Sequence, residues 1–109
     1  MAANGTVNSV IFTPAAAGDL IVTCTFSAQR TLGADWGVGA FFKCFVTQSA
    51  VTTYGDQLAL STTRITYTAR FKFAVAAGAS LECGLYGGVT GASAVSFYDC
   101  QVTAELIKR

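Results

Sequence analysis

The sequence predicts an all-β fold: a single antiparallel two-sheet sandwich, jelly-roll-like, with about seven to eight strands. Thr, Val, Phe, Tyr and Ile dominate the chain, in short segments whose apolar residues recur at every second position. Glycine and serine separate these segments at fairly even spacing, and the only proline is Pro14. This pattern is typical of a sandwich or barrel and not of strands that alternate with helices.

Seven segments carry the strand pattern. They are residues 7–13, 19–28, 36–46, 57–60, 64–75, 81–85 and 93–108. The first ends at Pro14, which cannot donate a backbone hydrogen bond to a neighbouring strand. The second places Leu20, Val22 and Cys24 on one face, because successive side chains of a strand point to opposite sides. The polar stretch 48–55 is predicted to be a loop or a short hairpin.

The remaining segments complete one domain. Segment 64–75 is the most amphipathic, with apolar residues alternating with Thr, Arg and Lys. Residues 87–91 are predicted to form a glycine-rich hairpin loop, and Tyr98 is expected on the inward face of the last strand. We expect residues 1–6 to be a flexible leader and residues 7–109 to be the single domain.

The composition favours self-association and argues against charged partners. The chain of 109 residues is 52% hydrophobic and 12% charged, whereas roughly 25% of residues are charged in a typical soluble domain. So much apolar surface on a small domain predicts a homo-oligomer. The net charge of +1 indicates no strongly basic surface that would attract nucleic acid or an anionic membrane. The first residues lack a secretory signal pattern, so we expect synthesis in the cytoplasm.

Four cysteines and the absence of histidine limit the possible chemistry. The cysteines occupy positions whose side chains point inward from their strands. This favours free thiols packed in the core, with two disulfides as the alternative. The cysteines are Cys24, Cys44, Cys83 and Cys100. Without histidine, the usual catalytic triads and imidazole metal sites are excluded. Asp99 and Cys100 are neighbours on a strand, so they point to opposite faces and cannot form a catalytic pair.

The acidic residues in or near loops do not form a recognisable site. They are Asp35, Asp56, Glu82 and Asp99. None belongs to a clustered calcium pattern, and solvated carboxylates at strand ends are commoner than an acid/base couple. We therefore predict a protein that is not an enzyme and that has no catalytic residue, no metal site and no cofactor.

Two pairs of aromatic residues are the candidate binding residues. Tyr54 and Tyr86 lie beside predicted loops and could stack on a sugar ring, although a core or interface position is the commoner one for such residues. Phe41 and Phe45 have the opposite phase from Trp36, Phe42 and Cys44 on the same strand. We therefore expect Phe41 and Phe45 to lie outside the monomer core and to be covered by a neighbouring subunit.

The second half of the chain resembles small β modules of bacteriophage virions. The resemblance covers residues 65–73, 76–78, 81–86 and 102–109, which read ITYTARFKF, AAG, LECGLY and VTAELIKR. Such modules occur in tail-fibre tips, tail-tip proteins and head-decoration or head-fibre proteins. The resemblance implies a trimeric jelly-roll-like subunit of a virion that contacts other virion proteins or a host-surface glycan. A cellular carbohydrate-binding module is the alternative, and a hydrolase is the third hypothesis.

Overall fold

The computed structural model describes residues 5–32, 40–60, 63–89 and 94–108. These residues form eight β-strands. In chain order the strands are β1 (Gly5–Phe12), β2 (Gly18–Leu32), β3 (Ala40–Gln48), β4 (Val51–Tyr54), β5 (Leu58–Ala59), β6 (Ile65–Val75), β7 (Leu81–Val89) and β8 (Ala94–Lys108). The predicted start of the third segment at Trp36 lies outside the described residues. No helix in the described part of the chain is long and apolar enough to cross a membrane.

The strands form two antiparallel sheets, which confirms the predicted sandwich. Sheet A has the order β1-β7-β3-β4, with β5 also paired to β3. Sheet B has the order β6-β2-β8. Because β7 occupies one edge of β3, β4 and β5 share the other edge and act as one interrupted strand. Counted in this way, the described strands follow the connectivity of a jelly roll from its second strand onward.

The core lies between the two sheets and is built from alternate residues of each strand. Phe26 of β2 is its centre: its ring lies 4.9 Å from that of Phe42 and 5.5 Å from that of Tyr67. The predicted inward face of β2 is confirmed, because Leu20, Val22 and Cys24 have no exposed surface. A tight hairpin joins β3 to β4 at residues 49–50, which both have positive φ. The short hairpin expected within 48–55 is therefore present.

The glycine-rich loop predicted at 87–91 is wrong for its first three residues. Strand β7 continues to Val89, and Gly87 pairs with Phe42 on one side and with Gly5 on the other. A Cβ at Gly87 would lie 2.7 Å from the tip of the Phe97 ring, so glycine leaves room for this ring. The same pairing shows that β1 starts at Gly5, so the last two residues of the predicted leader 1–6 are part of a strand. Residues 1–4 lie outside the described residues.

A β-bulge in β8 reverses the predicted orientation of Tyr98. Asp99 and Cys100 together oppose Phe26 alone, and Asp99 has a φ of 50°. Before the bulge, Tyr98 pairs with Ser27 and so shares the outer face of sheet B. The expected inward position of Tyr98 is therefore wrong, because an extra residue shifts the side-chain alternation by one position.

All four cysteines are free. Cys24, Cys44 and Cys83 are buried, as the inward phase of their strands predicts, whereas Cys100 is half-buried. The expectation of complete burial is wrong for Cys100 because it lies in β8, which is an edge strand of sheet B.

Candidate functional site

The outer face of sheet A brings together the two aromatic pairs that the sequence singled out separately. Phe41, Lys43 and Phe45 occupy alternate positions of β3, so they share one face of the strand. Tyr86 of β7 stands directly opposite Lys43, and Tyr54 of β4 stands opposite Phe45. We call Phe41, Lys43, Tyr54 and Tyr86 the aromatic patch. Three strands therefore contribute to one site.

The three rings of the aromatic patch lie within mutual reach. The centroids of Tyr54 and Tyr86 are 5.3 Å apart, with an edge-to-face angle of 62°. The centroid of Phe41 lies 6.4 Å from that of Tyr86. These separations fall in the range in which aromatic pairs attract one another. Tyr54 is 43% exposed, whereas Phe41, Lys43 and Tyr86 are half-buried, so Tyr54 is the member of the patch most open to solvent.

Lys43 places a positive charge among the three rings. Its Nζ atom lies 4.1 Å from the ring centre of Tyr54 and 5.5 Å from the ring centres of Phe41 and Tyr86. A cation at these distances is attracted by the negative faces of the rings. Within the described residues, no carboxylate forms an ion pair with Lys43. The aromatic patch therefore presents an ammonium group that is held in place by rings and is not neutralised by a neighbouring acid.

Sequence reasoning missed Lys43. Its position was visible as a signal, because it lies midway between Phe41 and Phe45 on the same face of one strand. What the sequence does not carry is the register that brings two tyrosines from other strands beside it.

Phe45 does not need a neighbouring subunit as its cover, so this part of the interface expectation is wrong. Its ring points away from the central core, as predicted, but it is only 3% exposed within one chain. The residue opposite Phe45 on β7 is Gly84, and its other neighbour is Tyr54. A residue without a side chain leaves room for the phenyl ring, and Tyr54 stands on the other side of it. Only Phe41, which is half-buried, keeps surface that a partner could cover.

The position of Tyr86 also differs from the prediction. It was expected beside a loop, but it lies within β7 on the sheet face. Its neighbours on this face of β7 are Gly84 and Gly88, and Gly88 pairs with Phe41. Each phenylalanine of β3 therefore stands opposite a glycine, and Lys43 stands opposite Tyr86. This alternation positions the rings beside each other without a clash.

The outer face of sheet B is chemically different. Threonines and charged residues cover it, and paired hydroxyl groups such as those of Ser27 and Thr66 lie 3.1 Å apart. One cation–ring contact occurs at its end, where the guanidinium carbon of Arg64 lies 3.8 Å from the ring centre of Tyr98. This pair has the same chemistry as Lys43 and Tyr54 but belongs to the other sheet.

A cavity of about 250 Å³ opens between the 55–58 segment and β6. Its lining includes Cys44, Asp56, Arg70 and Phe71. Among the described residues, no group of three or more His, Cys, Asp or Glu side chains is placed to hold a metal ion. The aromatic patch is therefore the stronger candidate for a binding site.

Comparison of the chain with protein-family models, with curated proteins and with solved structures finds no match.

Proposed function

We propose that this chain is a non-enzymatic binding module that holds a glycan on the aromatic patch, as an adhesion or decoration subunit of a bacteriophage particle. The observation that carries the proposal is the cluster of three rings around Lys43 on the outer face of sheet A. The site is a surface and offers chemistry for binding: ring faces and one ammonium group.

A sugar ring matches these groups. One face of many pyranoses carries several C–H groups, which pack against an aromatic face, while the hydroxyl groups at the rim need hydrogen-bond partners. Tyr54 and Tyr86 offer ring surface and phenolic hydroxyl groups, and Lys43 offers three N–H donors. The β-sheet beneath them is a rigid support, which lowers the entropic cost of binding.

The virion role rests on the resemblance of residues 65–73, 76–78, 81–86 and 102–109 to small phage modules and on the composition. A jelly-roll-like sandwich with so high an apolar content suits a subunit that assembles with copies of itself and with other virion proteins. We expect a homo-oligomer, with a trimer as the form that the resemblance implies. A cellular carbohydrate-binding module is the second candidate, because the same patch would serve it.

The glycan proposal is tested with a glycan array followed by calorimetric titration of the sugar that binds best. Tyr54→Ala and Tyr86→Ala should each weaken binding by about tenfold or more, since each removes a stacking surface worth on the order of 1 kcal/mol or more. The matched control is Tyr98→Ala, which removes an equal side chain that also contacts a cation but lies on sheet B. This control should bind as the wild type does.

Two results would contradict the glycan proposal. One is an array on which no glycan is retained by the wild-type protein. The other is an equal loss of affinity in Tyr54→Ala and Tyr98→Ala. The virion role is tested separately: antibodies against the chain should label purified phage particles, and a cellular module would leave the particles unlabelled.

A further inference from the structure

Strand β8 has one edge that no other described strand covers. It runs over Ala94–Lys108 and pairs with β2 along its length. On its other side, the Asn8 side chain donates a hydrogen bond of 2.7 Å to the carbonyl oxygen of Cys100. After this point, residues 101–108 have no backbone partner on their outer edge among the described residues. An edge of this kind offers a row of N–H and C=O groups to another strand.

The core is incompletely covered beside this edge. The inward-facing residues Val102 and Leu106 of β8 are only half-buried, and Ala104 is exposed. At the opposite edge of sheet B, the inward residues Ala69, Phe73 and Val75 of β6 are at most 6% exposed, whereas Phe71 is half-buried beside the cavity. The core is therefore better covered along β6 than along β8. In a complete jelly roll a further strand lies beside the strand equivalent to β8, a position that no described strand fills.

Two apolar residues of β1 also line the open side, because Val10 and Phe12 face inward and are only half-buried. Ile107 of β8, which lies on the outer face of sheet B, is 46% exposed. A strand added to sheet B beside β8 would bury Val102 and Leu106 while it satisfied the free backbone groups. Burial of this apolar surface and formation of backbone hydrogen bonds would stabilise the same contact.

The charges of β8 favour an antiparallel copy of itself. The charged residues of β8 are Asp99 at the bulge, Glu105 and, at the last position, Lys108. An antiparallel arrangement centred on Ala104 places Lys108 of each strand near Asp99 of the other and Glu105 opposite Thr103, whereas an in-register parallel arrangement places each charge beside its own copy. On β6 the exposed charges are Arg70 and Lys72, so two copies of β6 would repel each other.

We propose that the free edge of β8 pairs antiparallel with β8 of a second copy of this chain, so that the two copies of sheet B form one continuous sheet. Such an interface is self-complementary about a two-fold axis, so it forms a dimer and not the trimer that the resemblance implies. The partner strand occupies the position beside β8 that no described strand fills. The aromatic patch stays uncovered, because it lies on the outer face of sheet A.

Sedimentation velocity tests this interface. The protein concentration should run from about 1 to several hundred micromolar, the range in which contacts of this kind form. The wild type should form dimers. Ala104→Lys puts a charge on the inward side of the free edge, where a monomer can turn it toward solvent but a paired strand must bury it. The dissociation constant should rise by roughly a hundredfold. The control Ala74→Lys makes the same change on β6, at an exposed position of the opposite edge, and should not alter association.

A wild-type protein that stays monomeric at the highest concentration would overturn the proposal. An assembly that Ala104→Lys leaves intact, or that Ala74→Lys weakens equally, would do the same. If Ala104→Lys does not fold, hydrogen exchange of the wild type decides: amides in residues 101–108 should be protected at high concentration and exchange faster after dilution. Exchange that is independent of concentration would overturn the proposed pairing.

Discussion

At the scale of single residues, the aromatic patch depends on which residue stands opposite each ring. Phe41 faces Gly88, Lys43 faces Tyr86, and Phe45 faces Gly84. The two phenylalanines have different roles although they share one face of β3. Phe45 is closed in by its neighbours, and Phe41 remains at the surface of the patch.

We predict unequal costs for truncating these two phenylalanines. Phe45→Ala should lower the free energy of unfolding by about 3–5 kcal/mol, because it empties a buried site. Phe41→Ala should cost roughly 1 kcal/mol, since its ring is half-buried. Urea denaturation followed by circular dichroism measures both. Equal losses in the two variants would mean that Phe45 is not packed within one chain.

We also predict that the four thiols differ in reactivity. Burial raises the pKa of the Cys83 thiol to about 11. A hydrogen bond with Cys44 raises the pKa of the Cys24 thiol, and burial raises it further. The same hydrogen bond lowers the pKa of the Cys44 thiol against the opposite effect of burial, and Cys44 is only 2% exposed. Cys100 is half-buried, and burial raises the pKa of its thiol as well. At neutral pH, only Cys100 should react with a thiol reagent in the native protein, and slowly, because the thiolate is the reacting form.

The thiol titration has a direct control. Cys100→Ser should abolish the native reaction and leave three thiols that react after unfolding. If no thiol of the wild type reacts in denaturant without a reductant, the cysteines are paired in disulfides and the account of the core is wrong.

At the scale of elements, the sequence pattern identified most strands and failed where the chain departs from regular alternation. Period-2 alternation located β2 and β6 and their inward faces, because both are long and pair with each other without an irregularity. The bulge at Asp99 reverses the alternation in β8, and nothing in the sequence of that strand indicates it. Gly87 and Gly88 resemble a loop in sequence, but both lie in β7, and the lack of a side chain at Gly87 allows the Phe97 ring to pack.

Regular alternation of side chains also made part of the candidate site predictable. Alternation within β3 placed Phe41 and Phe45 together and away from the core. It could not show that Tyr54 and Tyr86 join them, because the register between strands depends on tertiary packing.

We predict that Gly84 is required by the close approach of β1 to β7. A Cβ at Gly84 would collide with the carbonyl oxygen of Asn8, which is backbone and cannot turn aside. Gly84→Ala should lower the free energy of unfolding by about 1–3 kcal/mol. Gly87→Ala is the control, because its Cβ would meet the end of the Phe97 ring, which can shift. A smaller cost for Gly84→Ala than for Gly87→Ala in thermal denaturation would contradict this explanation.

At the scale of the whole molecule, apolar residues outside the core cluster in two places. One is the aromatic patch on sheet A, and the other is the open side along β1 and β8. The outer face of sheet B is polar by comparison, with residues such as Thr25, Thr68 and Arg70. Pairing through β8 would leave one aromatic patch on each copy. A dimer could then engage two sugars at once, which increases its overall affinity for a glycan-covered surface.

The central claim is that the aromatic patch is the binding surface, and nuclear magnetic resonance titration with the best sugar from the array tests it most directly. Signals from Tyr54, Tyr86 and the Lys43 side chain should shift in proportion to saturation. Signals from Arg64 and Tyr98 on sheet B should stay in place. Shifts confined to sheet B or to the cavity beside Phe71, with the patch unchanged, would contradict the account.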